Sequence, residues 1–230
     1  MHIAAGLNIT VARIRYQKMR IYAVADIHGK PARMARIHKK MSELNPDALI
    51  AAGDITGYLN PDPVINQLNQ MPAPVLGIRG NSDLKKVDRM LDDYPNTFSL
   101  HLKTLTISGT CFVGVSGTVA VPFCTRLGWH EKRIFNRLAA LVDNNSVLVV
   151  HAPPRGRLDE VFGRFHAGCR RLHQLVVKRQ PRLVLCGHIH ECPGIASIGP
   201  TTVVNCSVAG AGGGAVLDFN AKNSFRVTML

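Results

Sequence analysis

Two histidines at alternate positions, His188 and His190, directly follow a short apolar segment. The segment 182–186 predicts a buried strand, and Gly187 after it lets the backbone turn at the strand end. Because residues i and i+2 of an extended segment point the same way, both imidazoles can reach one point beyond the sheet. Neutral imidazole is the commonest side-chain ligand of protein-bound metals. Taken alone, the pair predicts either a metal site or two exposed loop histidines.

Four further apolar segments upstream also end in polar residues that can bind metals. In open α/β sheets, sites form outside the carboxyl ends of the strands. Aspartate, asparagine and histidine are all suitable ligands there, and mixed ligation of this kind suits Mn, Fe, Zn or Ni better than Ca. The series as a whole predicts one metal centre assembled from five strand ends. The upstream residues are, in chain order, Asp26 and His28, Asp54, Asn81 and His151.

The elements that must position these residues alternate along the chain as strands and helices. Helical spacing of apolar residues separates the apolar segments, which is typical of an α/β protein. Residues 97–115 predict a hairpin or meander at a sheet edge, and the last forty residues predict a second, largely antiparallel sheet. The predicted strands are 20–25, 48–52, 74–78, 146–150 and 182–186, and the predicted helices are 30–44, 61–71, 84–92, 129–142 and 168–179.

Composition favours anionic partners. The 230 residues include 28 Lys and Arg against 15 Asp and Glu, which gives a formal charge of +13. Phosphorylated substrates, nucleic acid and anionic surfaces are all compatible with this charge. Basic residues are denser between Arg155 and Arg182, where a nucleic-acid track and a solvated basic surface both remain open.

Cysteine usage and hydropathy indicate the compartment. No apolar segment reaches the 18 or so residues of a transmembrane helix, so no membrane association is predicted. The six cysteines form no Cys-x-x-Cys pair, and the sequence shows no secretory signal pattern. We therefore expect reduced thiols and a cytoplasmic protein.

The first residues differ from the rest. Residues 1–18 contain no acidic residue and fit neither a signal peptide nor a clear helix. A regular apolar strand pattern begins only at Met19. We expect residues 1–18 to be an N-terminal extension outside the core, and residues 19–230 to form a single domain.

The five strand ends carry motifs that resemble the signature of the calcineurin-like metallophosphoesterases. They span residues 26 to 190 and therefore most of the chain. Shorter similarities at His151-Ala-Pro-Pro154, Gly168-Cys169 and 187–191 look like the branch of metallophosphoesterase-domain-containing proteins related to class III cyclic-nucleotide phosphodiesterases. The resemblance implies an α/β fold, a four-layer α/β/β/α sandwich of two mixed β-sheets flanked by helices. The matching motifs are Asp26-x-His28, Gly53-Asp54-x-x-Gly57, Gly80-Asn81-Ser82-Asp83, His151 and Gly187-His188-x-His190.

The resemblance also implies two divalent metal ions, with Mn²⁺ expected first and Fe, Zn or Ni as alternatives. A shared carboxylate from Asp54 would bridge the ions and offset their repulsion. The implied ligands of one metal are Asp26, His28, Asp54 and His190. The implied ligands of the other are Asp54, Asn81, His151 and His188.

The activity implied by the resemblance is phosphodiester hydrolysis by attack of a metal-bridging hydroxide. Asp54, Asn81 and His151 would be catalytic, and Asn81 and Arg155 would contact the substrate, a phosphorylated small molecule or a nucleotide. A phosphomonoesterase, a nuclease and a non-catalytic interaction scaffold on the same fold are the alternatives.

One position departs from the family pattern. Ser82 stands where most members carry a histidine beside the leaving group, and serine cannot act as a cationic proton donor at neutral pH. Leaving groups that depart without a proton should therefore suffer least, and Ser82→Ala should cost little. His130 and His166 are candidate replacement acids, although surface histidines are also a sufficient explanation. Asp83, without its usual partner, is expected to support a ligand histidine or a loop amide.

Overall fold

The computed structural model describes residues 17–117, 131–210, 212–221 and 224–230. His130 and nearly all of the N-terminal extension lie outside these ranges, so the predictions made for them stay predictions. In the described part of the chain, no helix is both long and apolar enough to cross a membrane.

The first sheet has six strands and carries the first three strand ends of the site. The order across it is β14-β13-β1-β2-β3-β4. The first four strands of the chain run parallel to one another, and the last two pair antiparallel at the β1 side. Its strands are β1 (Met19–Val24), β2 (Ala48–Ala52), β3 (Val75–Ile78), β4 (Thr97–Ser99), β13 (Ala215–Phe219) and β14 (Phe225–Met229).

The second sheet also has six strands and carries the remaining strand ends. Its order is β11-β12-β10-β7-β6-β5. The four central strands are parallel, and each edge is closed by an antiparallel partner. Its strands are β5 (Thr104–Ile107), β6 (Thr110–Val115), β7 (Val147–Val150), β10 (Leu183–Cys186), β11 (Gly194–Ile198) and β12 (Thr201–Asn205).

Helices cover the outer face of each sheet. Side chains from alternate strand positions of both sheets pack into one buried cluster between them, and two further clusters join the outer faces to helices. Met34, Ile37 and Met41 show why α1 docks, because their spacing places all three on its buried side. The α/β/β/α sandwich of two mixed sheets is confirmed. The helices are α1 (Pro31–Leu44), α2 (Asp62–Asn69) and α3 (Val87–Asp92) on one side, and α4 (Glu131–Leu141) and α5 (Arg170–Arg179) on the other.

The prediction for the last forty residues was wrong in topology. The four strands exist, but they divide between the two sheets instead of forming a sheet of their own. β12 lies parallel to β10, whereas β13 pairs antiparallel with β1. Strand patterning shows that a segment is buried but not which neighbour it pairs with, so this choice depends on long-range contacts.

A small hairpin interrupts the loop after β7, which the sequence had suggested to be irregular. Its strands are β8 (Glu160–Val161) and β9 (Phe165–His166), paired antiparallel. Two-residue strands with exposed side chains give no alternation that sequence reading could detect.

Candidate metal centre

The carboxyl ends of five strands meet where the two sheets adjoin. β1, β2 and β3 are neighbours in the first sheet, and β7 and β10 are neighbours in the second. The two sheets are linked at this edge by main-chain contacts, including the hydrogen bond from Ala25 N to Cys206 O at 3.0 Å. Loops from five strands therefore converge on one point, as the sequence predicted.

One group of possible ligand atoms comes from Asp26, His28 and His190, with all three atoms within 4.8 Å of one another. His28 Nε2 lies 3.4 Å from His190 Nε2, and His190 Nε2 lies 3.3 Å from Asp26 Oδ1. Asp26 is fully buried, whereas His190 is exposed, so this group faces the surface.

A second group lies deeper and comes from Asp26, Asp54 and His151, all buried. His151 Nε2 is 3.3 Å from Asp54 Oδ2 and 3.8 Å from Asp26 Oδ1. Asp54 Oδ2 is also 3.7 Å from His28 Nε2. Asp54 thus reaches histidines of both groups, which is the position that a bridging carboxylate needs.

His188 and Asn81 complete the set. The His188 ring packs edge-on against His151, with centroids 5.1 Å apart, and its main-chain N–H donates to both carboxylate oxygens of Asp26 at 3.1 Å. Asn81 Oδ1 is buried and accepts no hydrogen bond from the described residues. The structure therefore brings together six of the seven predicted ligand side chains, and Asn81 lies between Gly80 and Ser82, which both adjoin Asp54.

A cation, either a proton on His151 or a bound metal ion, would satisfy these atoms. His151 Nδ1 donates to Ala52 O at 2.9 Å, which leaves the lone pair on Nε2, and that atom has no hydrogen-bond partner in the described chain. A buried lone pair 3.3 Å from a carboxylate oxygen is unfavourable unless a positive charge lies nearby. Buried polar atoms without partners are uncommon, and a bound ion is one accepted reason for them. Two such atoms lie on predicted ligand residues, Nε2 of His151 and Oδ1 of Asn81, and a metal site is the simplest explanation for them.

The charges around the ligand side chains also favour a bound cation. Burial opposes the imidazolium of His151, but the carboxylates of Asp54 and Asp26 outweigh it and raise its pKa to about 9. Burial and the neighbouring His151 lower the pKa of His188 to about 4, so this ring is neutral at physiological pH. Burial raises the pKa of Asp54, but the adjacent His151 and the Ser82 amide outweigh that effect and lower it overall. The proton on His151 and a metal ion would compete for the same lone pair.

The backbone of the site is held in an uncommon conformation. Asp26, His28, Asp54 and His188 have φ of 63°, 54°, 49° and 71°, in the left-handed region that non-glycine residues rarely adopt. Four such residues in one cluster are typical of functional sites, where surrounding structure maintains the strain. Gly187 allows the backbone to pass close to Asp26, since a Cβ there would come within 2.7 Å of Asp26 Oδ2.

Asp83 braces the loops that carry Asp54 and Asn81. Its buried carboxylate accepts hydrogen bonds from four donors, Ile55 N (3.0 Å), Thr56 N (2.7 Å), Thr56 Oγ1 (2.7 Å) and Gly80 N (2.8 Å). Burial raises its pKa, and the donors from Thr56 and Gly80 oppose that shift. Of the two partners expected for Asp83, the structure provides the loop amides.

Ser82 is also buried and is engaged with a ligand histidine. Its Oγ lies 3.3 Å from His28 Nδ1, and its main-chain N–H donates to Asp54 Oδ1 at 2.8 Å. With His28 presenting Nε2 to the cluster, Nδ1–H would donate to Ser82 Oγ and fix the ring orientation. No pattern in the sequence indicates this contact.

Two cationic side chains lie next to the site but are bound to main-chain carbonyls. Arg33 Nη1 donates to Asp26 O at 2.6 Å, and Arg155 Nη1 donates to His166 O at 2.7 Å. Arg33 was missed by sequence reading because its helix was recognised only by its apolar residues. The substrate contact suggested for Arg155 stays a prediction.

Comparison with known proteins identifies the family. Residues 19–192 match the family model of the calcineurin-like phosphoesterases. The chain belongs to this family. An uncharacterized protein of Methanocaldococcus jannaschii is 34% identical over 200 residues, which cover 82% of this chain and 88% of that protein.

A second relative bears on the branch of the phosphoesterase family. Metallophosphoesterase domain-containing protein 1 of Homo sapiens is 47% identical over 64 residues, which are 27% of this chain and only 20% of that protein. A crystal structure from Thermus thermophilus superposes with a TM-score of 0.67 at 16% identity, covering 92% of this chain and 98% of that one. The relatives agree with the family and branch indicated by the motifs, and the structural likeness supports the fold.

Proposed function

We propose that this chain is a two-metal-dependent phosphoesterase that hydrolyses phosphodiester bonds. Membership of the calcineurin-like phosphoesterases accounts for metal-dependent phosphoester hydrolysis. The observation that carries the two-metal proposal is Nε2 of His151, buried without a hydrogen-bond partner in the described chain and within 3.8 Å of the carboxylates of Asp26 and Asp54. Oδ1 of Asn81 is a second buried acceptor without a partner there.

The proposed ligand sets are those given by the motifs. Asp26, His28, Asp54 and His190 would hold one ion, and Asp54, Asn81, His151 and His188 would hold the other. Two bound divalent ions would supply Lewis acidity, which activates water at neutral pH and neutralises charge on the phosphoryl oxygens. Mn²⁺ is the first candidate, and the mixed nitrogen and oxygen donors also suit Fe, Zn or Ni.

The protein residues prepare the site before any substrate arrives. Ala52 O fixes the tautomer of His151, and Asp83 holds the loops of Asp54 and Asn81 through main-chain donors. Asn81 contributes a neutral amide, which leaves the centre with more net positive charge for an anionic ester. These groups lower the reorganisation required during reaction, because their positions are set by the fold.

The preference for diesters over monoesters follows from the charges around the site. A monoester dianion carries one more negative charge than a diester, and protein groups beyond the metals usually bind it. Arg33, which contacts Asp26 O, and Arg155, which follows His151 by four residues, both donate to main-chain carbonyls. A phosphodiester of a small molecule or nucleotide therefore suits the site better than a monoester.

We also propose that the protein works in the cytoplasm. Four cysteines of the described ranges, Cys111, Cys186, Cys192 and Cys206, are free thiols. Several free thiols in one chain are typical of proteins in reducing compartments.

The test compares two aryl esters with the same leaving group. Purified protein with added Mn²⁺ should hydrolyse bis-p-nitrophenyl phosphate faster than p-nitrophenyl phosphate, and chelator should abolish both activities. Asp54→Asn, which keeps the side-chain volume, should lose activity by about 10²-fold or more. A clear preference for the monoester would overturn the diester assignment. A folded, metal-loaded protein without activity on either ester would favour the scaffold alternative.

A further inference from the structure

The described chain contains an aspartate–histidine pair outside the ligand set, on the hairpin that follows β7. His166 Nδ1 donates to Asp159 Oδ1 at 2.8 Å, and Asp159 is only 1% exposed. The other oxygen of Asp159 accepts from Gly168 N at 2.9 Å. A Cβ at Gly168 would lie 2.7 Å from that oxygen, so the close approach of the backbone requires glycine there.

This arrangement fixes both the tautomer and the direction of the His166 ring. Both neighbours of the Asp159 carboxylate are N–H donors, so both of its oxygens act as acceptors. His166 Nε2 is then the free nitrogen, on a side chain that is 42% exposed. A buried carboxylate that holds an imidazole by Nδ1–H orients the ring.

The hairpin is tied to the two loops that carry His151 and His190. It leaves the first loop through Pro154, which bridges to Cys169, and Arg155 binds His166 O across the hairpin base. Glu160, which pairs with His166 in the β8–β9 register, accepts a hydrogen bond from Cys192 Sγ at 3.3 Å, two residues after His190. These anchors join the pair to the two loops that carry His151 and His190.

The side chains around the pair also suit contact with a ligand. Phe162 and Phe165 project from the same hairpin and are 85% and 66% exposed. Exposed aromatic rings this large are unusual on a surface without a partner and are common where organic groups bind. His101 and His173 contact main-chain groups through Nδ1 instead of a carboxylate, since His101 Nδ1 accepts from Ser116 N and His173 Nδ1 donates to Arg155 O.

The reaction needs a proton donor that Ser82 cannot supply. Ser82 is buried with its hydroxyl on His28, and a serine hydroxyl does not ionise near neutral pH. We propose that His166, oriented by Asp159, is the general acid that protonates the leaving oxygen. This inference rests on the phosphodiester hydrolysis proposed above.

The proposed step forms one bond to phosphorus and breaks another. The oxygen of water forms a bond to phosphorus as the bond from phosphorus to the leaving oxygen breaks. The leaving oxygen takes the proton from Nε2 of His166 and departs as an alcohol. The ring is left neutral, and the proton released by the attacking water returns through solvent to restore it. The exposed rings of Phe162 and Phe165 would contact the departing group.

The experiment compares leaving groups in His166→Gln and wild type with Mn²⁺. The substrates are bis-p-nitrophenyl phosphate, whose leaving group needs no proton, and the dinucleoside phosphate TpT, whose leaving group is an alkoxide. A general acid typically contributes about 10²–10⁴-fold, so kcat on TpT should fall by about 10²-fold or more. The value of kcat on the aryl ester should stay within a few-fold, and KM should change little on both.

Three further variants make the result specific. Asp159→Asn should also lower the ratio of kcat on TpT to kcat on the aryl ester, because a carboxamide has one acceptor oxygen and cannot hold both His166 Nδ1–H and Gly168 N–H as the two carboxylate oxygens do. His173→Gln, on α5, should leave the ratio unchanged, and melting temperatures should show that all variants are folded. If His166→Gln lowers kcat equally on both substrates, or on neither, the acid role of His166 is wrong. If His130→Gln alone produces the selective loss, the acid is His130 and the inference is also overturned.

Failure of the inference is distinguishable from failure of the proposed function. A wild type that hydrolyses TpT and the aryl diester, with His166→Gln unchanged on both, contradicts only the role of His166. A wild type inactive on every phosphodiester contradicts the proposed function, and the inference fails with it.

Discussion

Replacement of Asp83 should destabilise the chain more than any other single aspartate change outside the metal ligands. Its carboxylate accepts from Ile55 N, Thr56 N, Thr56 Oγ1 and Gly80 N in a site that is 1% exposed. Asp83→Ala would leave three main-chain N–H groups without their acceptor. An unsatisfied buried donor costs about 1–3 kcal/mol, and because water can enter the space we expect a total of about 3–5 kcal/mol.

This loss is large enough to measure by thermal and chemical unfolding. For chains of this size, about 1 kcal/mol corresponds to about 2–4 °C in melting temperature, so Asp83→Ala should melt about 6–20 °C lower. The free energy of unfolding should be taken from urea titration followed by circular dichroism. Metal affinity should fall as well, because the braced loops carry Asp54 and Asn81.

A matched control separates loss of these hydrogen bonds from loss of negative charge. Asp93 is exposed and lies 3.8 Å from Arg89 on a helix surface, so Asp93→Ala should change the free energy of unfolding by less than about 0.5 kcal/mol. If Asp83→Ala were as stable as Asp93→Ala, the carboxylate would not be bracing the loops and the reasoning would be refuted.

Three further predictions address other contacts. The sequence alone led us to expect a small cost for Ser82→Ala, but the contact of Ser82 Oγ with His28 revises that expectation. Ser82→Ala should weaken Mn²⁺ binding by about 10-fold or more with little loss of fold stability, and unchanged affinity in a metal titration would show that the contact is unimportant. Gly187→Ala should lower the melting temperature strongly, since its Cβ would press on Asp26 Oδ2 at 2.7 Å, whereas Gly57→Ala, with 3.8 Å to its nearest neighbour, should not. A chain that begins at Met19 should fold and keep its activity, because Gln17 and Lys18 are exposed; a melting temperature lower by about 10 °C or more would place the extension in the core.

Much of the fold was predictable because a buried parallel strand has the sequence pattern of a short apolar segment. Strands β2, β3, β7 and β10 were expected within a residue or two of their observed bounds. The topology of the last strands was not predictable, since an apolar alternation does not encode whether β13 pairs with β1 or with β12.

For the site, too, local sequence patterns identified some residues and missed those whose roles depend on distant partners. Asp26, Asp54, Asn81 and His151 could be picked out because each follows a buried strand, and such strands end at one edge of a sheet. The roles of Arg33, Asp159 and the Ser82 hydroxyl could not, because each depends on a partner between 7 and 54 residues away that no local pattern marks.

The measurement that tests the central claim most directly is the metal content of the wild type beside Asp54→Ala. After incubation with Mn²⁺ and removal of free metal, elemental analysis of wild type should find two ions per chain, and activity on bis-p-nitrophenyl phosphate should rise with loading. Asp54→Ala should lose tightly held metal from both positions, because its carboxylate reaches histidines of both groups. A variant that still held two ions, or a folded wild type that bound none, would contradict the two-metal centre.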